Sequence, residues 1–132
     1  HQAGVRCAVA SGSSQAVLDE IIDISRLRPY LCAVYSSDLV SKGKPDPDIF
    51  LYTATQLGVK PHECLVFEDS IPGVFAAHQA GMSVIAVPQE EKFAHPVFQS
   101  AWLTYPGPQN LSVKSVMYAL HLPYLEHFSC RS

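Results

Sequence analysis

Cys64-Leu65-Val66-Phe67-Glu68-Asp69-Ser70-Ile71-Pro72-Gly73-Val74-Phe75-Ala76-Ala77-His78-Gln79-Ala80-Gly81-Met82 is the stretch on which the reading of this chain turns. Cys64 to Phe67 form a short apolar run with β-branched and aromatic members, which predicts a buried strand. The run ends on two adjacent carboxylates and a serine. A helix is predicted from about Pro72 to Ala80, because proline is favoured at a first helical position and Gly81 supplies a stop. Ser83-Val84-Ile85-Ala86-Val87 then reads as the next strand, closed by Pro88. Strand, polar cluster, helix and strand make one unit of a parallel α/β sheet.

The same alternation extends in both directions. Val5 to Ala10 predicts a strand, followed by the small polar turn Ser11-Gly12-Ser13-Ser14. Val17, Leu18, Ile21, Ile22 and Ile24 recur at helical spacing. Leu31 to Tyr35 predicts another strand. Asp46 is read as the cap of a helix with Pro47 at its first position, Phe50, Ala54 and Leu57 on its apolar face, and Gly58 at its end. Downstream, Ala101 to Tyr105 reads as a short edge strand, and Ser112 as the cap of a last helix carrying Val113, Val116, Met117 and Leu120. The tail from Pro123 has no period. The chain is therefore divided into one α/β domain over residues 1–122 and a tail over 123–132.

Strands that are apolar throughout indicate a parallel sheet with helices on both faces, a three-layer Rossmann-like arrangement. Ligands of such sheets gather beyond the carboxyl ends of the strands. Each polar cluster above follows a strand or opens a helix, so all belong on one rim.

Composition narrows the function classes. The 132 residues are 48% hydrophobic and 16% charged, with a net charge of −3 and no basic cluster, which argues against nucleic acid as a partner. No apolar run approaches the ~20 residues of a membrane span. No signal-peptide pattern follows His1-Gln2-Ala3-Gly4. Cys7, Cys32, Cys64 and Cys130 are widely spaced, and Cys7 and Cys64 lie inside apolar runs. Buried reduced thiols are expected, in keeping with a cytoplasmic setting. The six histidines form no ligand pair.

Three clusters carry candidate chemistry. Glu68-Asp69, at a strand end beside a helix start, suits a hard divalent cation such as Mg²⁺, which takes one or two carboxylates plus phosphate oxygens and water. The alternative is that Asp69 or Ser70 simply caps the helix. Ser11-Gly12-Ser13 at a strand-to-helix turn offers hydroxyls and free N–H groups to a phosphate, or again no more than a cap. Lys44, held in Gly43-Lys44-Pro45-Asp46-Pro47-Asp48, can set a point charge against a phosphoryl group, whereas a lone loop lysine is ordinarily just solvated. Each signal is weak alone; their shared rim strengthens them.

Taken in order, Ser-Gly-Ser after a strand, Gly-Lys-Pro-Asp-Pro-Asp-Ile-Phe opening a helix, and Leu-Val-Phe-Glu-Asp-Ser-x-x-Gly-Val-x-Ala-Ala-x-x-Ala-Gly-Met resemble motifs two, three and four of the haloacid dehalogenase superfamily, in its β-phosphoglucomutase-like phosphatase branch. The resemblance covers roughly Val5 to Pro88. It implies that Ser11 hydrogen-bonds a transferring phosphoryl group and that Lys44 neutralises charge there and on an aspartyl nucleophile. It implies Mg²⁺ on Asp69, with Glu68 as second carboxylate or as an orienting group. Gly12, Ser13 and Ser14 are candidate substrate-phosphate contacts, and the substrate would be a small phosphorylated metabolite. Phosphoryl transfer suits such a rim because it depends on positioning and charge neutralisation.

The family's first motif, D-x-D-x-[TV], has no counterpart here. Among Asp19, Asp23, Asp38, Asp46, Asp48 and Asp69, only Asp46-Pro47-Asp48 has the spacing, and it lies inside the Lys44 motif. In the family the strand carrying that motif lies between those ending at Ser11 and Asp69, within the order 5-4-1-2-3. The resemblance thus implies an incomplete core, without its first strand and without a cap domain, derived from a longer phosphatase or phosphomutase and inactive alone. Unpaired strand edges imply self-association. Two other classes are considered. One is a naturally short pseudoenzyme that binds phosphate or a protein partner. The other is a receiver domain, disfavoured because the acidic pair and acceptor aspartate it needs at earlier strand ends are missing.

Overall fold

The computed structural model describes residue 1 and residues 4–119. Among the described residues, five strands and five α-helices alternate. They are β1 (Ala8–Ser11), α1 (Gln15–Ile24), β2 (Ala33–Ser36), α2 (Asp48–Leu57), β3 (Leu65–Glu68), α3 (Ile71–Gln79), β4 (Ser83–Ala86), α4 (Pro96–Gln99), β5 (Leu103–Thr104) and α5 (Val113–Ala119). All pairings are parallel, as the apolar strands predicted. β1 pairs with β2 from Ala8↔Ala33 to Ser11↔Ser36, β3 with β4 from Leu65↔Ser83 to Glu68↔Ala86, and β4 with β5 at Ile85↔Leu103 and Ala86↔Thr104.

The strands form two sheets, β1-β2 and β3-β4-β5. The break falls between β1 and β3, where the resemblance leaves out the family's first strand. It explains where the burial expectation fails. β4, with neighbours on both sides, buries Val84, Ile85 and Ala86 completely. In β3, on the break, Val66 is buried but Phe67 is 46% exposed, and every residue of β1 is only half-buried. A strand read as buried on both faces lacks a neighbour along one edge.

The core reaches across the break, with α2 packed on β1 and β2 and the partly buried Ala10 and Tyr35 against it. Ile49, Phe50 and Ala54 of α2 meet Val74, Ala76 and Ala77 of α3, together with Ala80, Met82, Val97 and Phe98. The small residues of α3 let its backbone lie close to the sheet. On α1 only Leu18 and Ile22 are buried; Val17, Ile21 and Ile24, read as core by spacing, are exposed.

Boundaries differ from the sequence reading by one to three residues. β1 begins at Ala8 rather than Val5, whose side chain is exposed. The α2 cap is Pro47, not Asp46, so Asp48 opens the helix and places its carboxylate in the first turn. Gly58 ends α2 at φ 64°, as expected of a left-handed stop. Ser70, rather than Asp69, caps α3, its hydroxyl accepting from the Gly73 N–H. Ser112 caps α5 through the Ser115 N–H. The one-turn α4, with Val97 and Phe98 buried, was not foreseen, being too short to show a period.

Cys7, Cys32 and Cys64 are free; Cys7 and Cys64 are half-buried, but Cys32 is exposed, against the expectation of burial. Burial pushes the Cys64 thiol above its ordinary value, with Glu63 adding to the shift and Arg6 opposing it. Cys130, Leu120 and the tail read over 123–132 lie outside the described residues. No helix among the described residues is long and apolar enough to cross a membrane.

Candidate active site at the carboxyl ends of β1 and β3

β1 and β3 both end at the break, and a cleft of about 540 Å³ opens there. Its lining includes Ser11 at the end of β1 and Gly12 after it, Ser37 after β2, Lys44, and Glu68 at the end of β3 with Asp69 and Ser70 after it. Three clusters separated by up to 57 positions in sequence, from Ser11 to Glu68, thus meet on one rim. Ser13 and Ser14 are not among the lining residues. They belong to the turn that follows, with Ser14 at the exposed start of α1.

The Ser11 turn is held by a network from β2. The Ser11 hydroxyl accepts from the Ser13 N–H at 3.2 Å, which leaves its own proton for a ligand. The Ser37 hydroxyl donates to the Ser11 carbonyl at 3.1 Å, and the fully buried Ser36 hydroxyl donates to the Ser13 carbonyl at 2.7 Å. Asp38 accepts from the Gln15 N–H at 3.1 Å and so caps α1 from a distance, since Ser14 makes no side-chain cap bond. None of these three residues was singled out from sequence. Ser36-Ser37-Asp38 directly after an apolar strand was the available signal.

Lys44 crosses the break. Its ammonium donates to the Ala10 carbonyl of β1 at 3.3 Å, pairs with Glu68 Oε1 of β3, and stands 4.6 Å from the centre of the Phe50 ring. Both partners are shielded, with side chains 14% and 8% exposed. The other Glu68 oxygen, Oε2, accepts from the Ser70 hydroxyl at 2.9 Å. The two carboxylates therefore differ. Glu68 is buried with both oxygens engaged, while Asp69 is exposed at the cleft.

Among the described residues, no three His, Cys, Asp or Glu side chains come together as a metal cage. The donor set still fits Mg²⁺, which binds through one or two carboxylates completed by phosphate oxygens and water. Asp69, exposed at the cleft, could hold it, with Glu68 beside it in the chain.

Residues 1–81 match the family described as haloacid dehalogenase-like hydrolase. The chain belongs to that family. It is 47% identical over 93 residues to a bifunctional riboflavin kinase/FMN phosphatase of Arabidopsis thaliana, covering 70% of the chain and 24% of that protein. It is 42% identical over 80 residues to a fructose-1-phosphate phosphatase of Escherichia coli, covering 61% and 43%. Among solved structures, a family hydrolase from Deinococcus radiodurans with bound phosphate and sodium aligns with a TM-score of 0.80 at 26% identity, covering 94% of this chain and 57% of that one. A putative β-phosphoglucomutase from Thermotoga maritima aligns at 0.77 and 28% identity, covering 87% and 54%. The chain thus spans less than two thirds of each.

Proposed function

We propose that this hydrolase chain supplies the phosphate- and metal-binding half of a Mg²⁺-dependent phosphatase, or phosphomutase, of small phosphorylated metabolites such as sugar or polyol phosphates. The observation that carries the reading is the meeting of Ser11, Lys44 and Asp69 along one cleft at the carboxyl ends of two parallel strands. The Ser11 hydroxyl and the backbone N–H of Gly12 bind phosphoryl oxygens. Lys44 keeps one of its three ammonium protons for the ligand after donating to Ala10 and Glu68. Asp69 holds Mg²⁺, which supplies charge neutralisation at the phosphoryl oxygens. Ser13 supports the turn by donating its N–H to the Ser11 hydroxyl, and Ser14 stands outside the cleft lining. The names of the relatives, phosphatases of FMN and of fructose 1-phosphate, point to the same substrate class.

An aspartyl-phosphate route also needs a nucleophile. Asp69 is the one aspartate of the 132 residues that lines the cleft, and the metal claims it. The remaining five are placed elsewhere. We infer that turnover requires a strand bearing the nucleophile in the break between β1 and β3, and that the 132 residues alone bind phosphate without hydrolysing esters. Unfilled, the same break favours self-association.

The test is calorimetric titration of inorganic phosphate into the purified chain with and without Mg²⁺, beside a panel of sugar phosphates assayed for turnover. Expected are Mg²⁺-enhanced phosphate binding, its loss in Asp69→Asn, and no turnover. Absence of phosphate binding overturns the reading. Robust turnover abolished by Asp69→Asn refutes the missing nucleophile.

A further inference from the structure

Ser70 carries more than a cap requires. A cap needs only an oxygen that accepts from the first turn, and the Ser70 hydroxyl does accept from the Gly73 N–H at 3.1 Å. The same hydroxyl also donates its proton to Glu68 Oε2 at 2.9 Å. The backbone N–H of Ser70 lies 3.4 Å from that oxygen. Glu68 is thereby held at both ends of its carboxylate, by Lys44 on Oε1 and by Ser70 on Oε2.

Gly73 closes the third side. A Cβ at this position would lie 2.0 Å from Glu68 Oε2 and 2.1 Å from its Cδ, so the carboxylate rests directly on the backbone of the first turn of α3. Glu68 cannot move toward α3, whose main chain backs it, and is only 7% exposed. A carboxylate fixed in its plane by two donors and a wall fixes in turn whatever it binds. What it binds is the ammonium of Lys44.

We propose that Ser70, with the bare backbone at Gly73, is a positioning residue that sets the location of the Lys44 ammonium through Glu68. The inference rests on the reading of the cleft as a phosphate site and adds to it a residue that touches neither phosphate nor metal. Without the Ser70 proton, Glu68 Oε2 keeps only the long backbone contact, the carboxylate turns, and Lys44 drifts from the ligand. Phosphate recognition by a single lysine is a point-charge interaction and falls off with that displacement.

Glycine at a cap position costs only a few tenths of a kcal/mol relative to serine. Ser70→Gly therefore removes the proton donated to Glu68 while leaving α3 nearly as stable, and Ser70→Thr keeps both bonds. The experiment uses the full 132-residue chain with ¹³Cε-labelled lysine, the Lys44 signal being assigned from Lys44→Arg. Phosphate affinity with Mg²⁺ is measured on the same samples. In Ser70→Gly the Lys44 signal shifts and phosphate binding weakens by roughly fivefold to tenfold; Ser70→Thr restores both. An unmoved Lys44 signal in Ser70→Gly overturns the proposal and leaves Ser70 as a cap. If the unsubstituted chain binds no phosphate, the phosphate reading fails by itself, and the Lys44 signal still decides whether Ser70 positions the ammonium.

Discussion

Replacing Lys44 by Met gives the sharpest measure of how the two sheets are tied together. Lys44 is 14% exposed and Glu68 8%, so neither charge is well solvated. With the ammonium gone, Glu68 is left as a buried carboxylate supported only by Ser70, and breaking such a pair from one side costs about 3–5 kcal/mol. Against a total stability of about 5–15 kcal/mol for a domain, this is a large fraction. Glu68→Gln is milder, about 1–3 kcal/mol, because the ammonium keeps the Ala10 carbonyl and the Phe50 ring. The double substitution Lys44→Met/Glu68→Gln leaves no buried charge at all. It should cost less than the sum of the single changes by about 2 kcal/mol. Urea unfolding followed by far-ultraviolet circular dichroism measures all four proteins. The coupling should persist at high salt, because a shielded pair is little screened. Single costs that add to within about 0.5 kcal/mol would refute the tie.

Two further substitutions test backbone arguments with opposite signs. Arg26 follows α1 with φ 56°, a left-handed conformation that a side chain disfavours, so Arg26→Gly should stabilise the chain by about 0.5–1 kcal/mol in the same unfolding assay. Gly73→Ala should do the reverse. Alanine ordinarily improves a helix interior by about 1 kcal/mol. Here its Cβ meets the fixed Glu68 carboxylate, and overpacking should instead cost about 1–3 kcal/mol. A stabilised Gly73→Ala protein would show that Glu68 yields freely, against the packing described.

The order of elements could be read from the chain because each carries its own local signal. Cys64-Leu65-Val66-Phe67 is a short apolar run with β-branched and aromatic members that reads as a strand, Pro72 and Gly81 bracket α3, and Gly58 stops α2 at a positive φ. The rim also followed from sequence, since parallel strands send their carboxyl ends to one side, carrying Ser11, Glu68 and Asp69 with them. Residue spacing on α1 misled, because five apolar positions at helical period exceed the two, Leu18 and Ile22, that this packing buries. Exposure depends on what lies opposite, which no local pattern records.

The sequence by itself established the parallel α/β alternation and the hydroxyl, ammonium and carboxylate groups carried to the rim, since propensity, capping and apolar period act over a few residues. Only the tertiary structure decided how those groups divide their work. It committed Glu68 to Lys44 and Ser70, left Asp69 open to the cleft, and brought in Ser36, Ser37 and Asp38 to hold the Ser11 turn. Those assignments arise from contacts across as many as 34 positions of chain, as between Lys44 and Ala10, and through-space contact is invisible to local pattern.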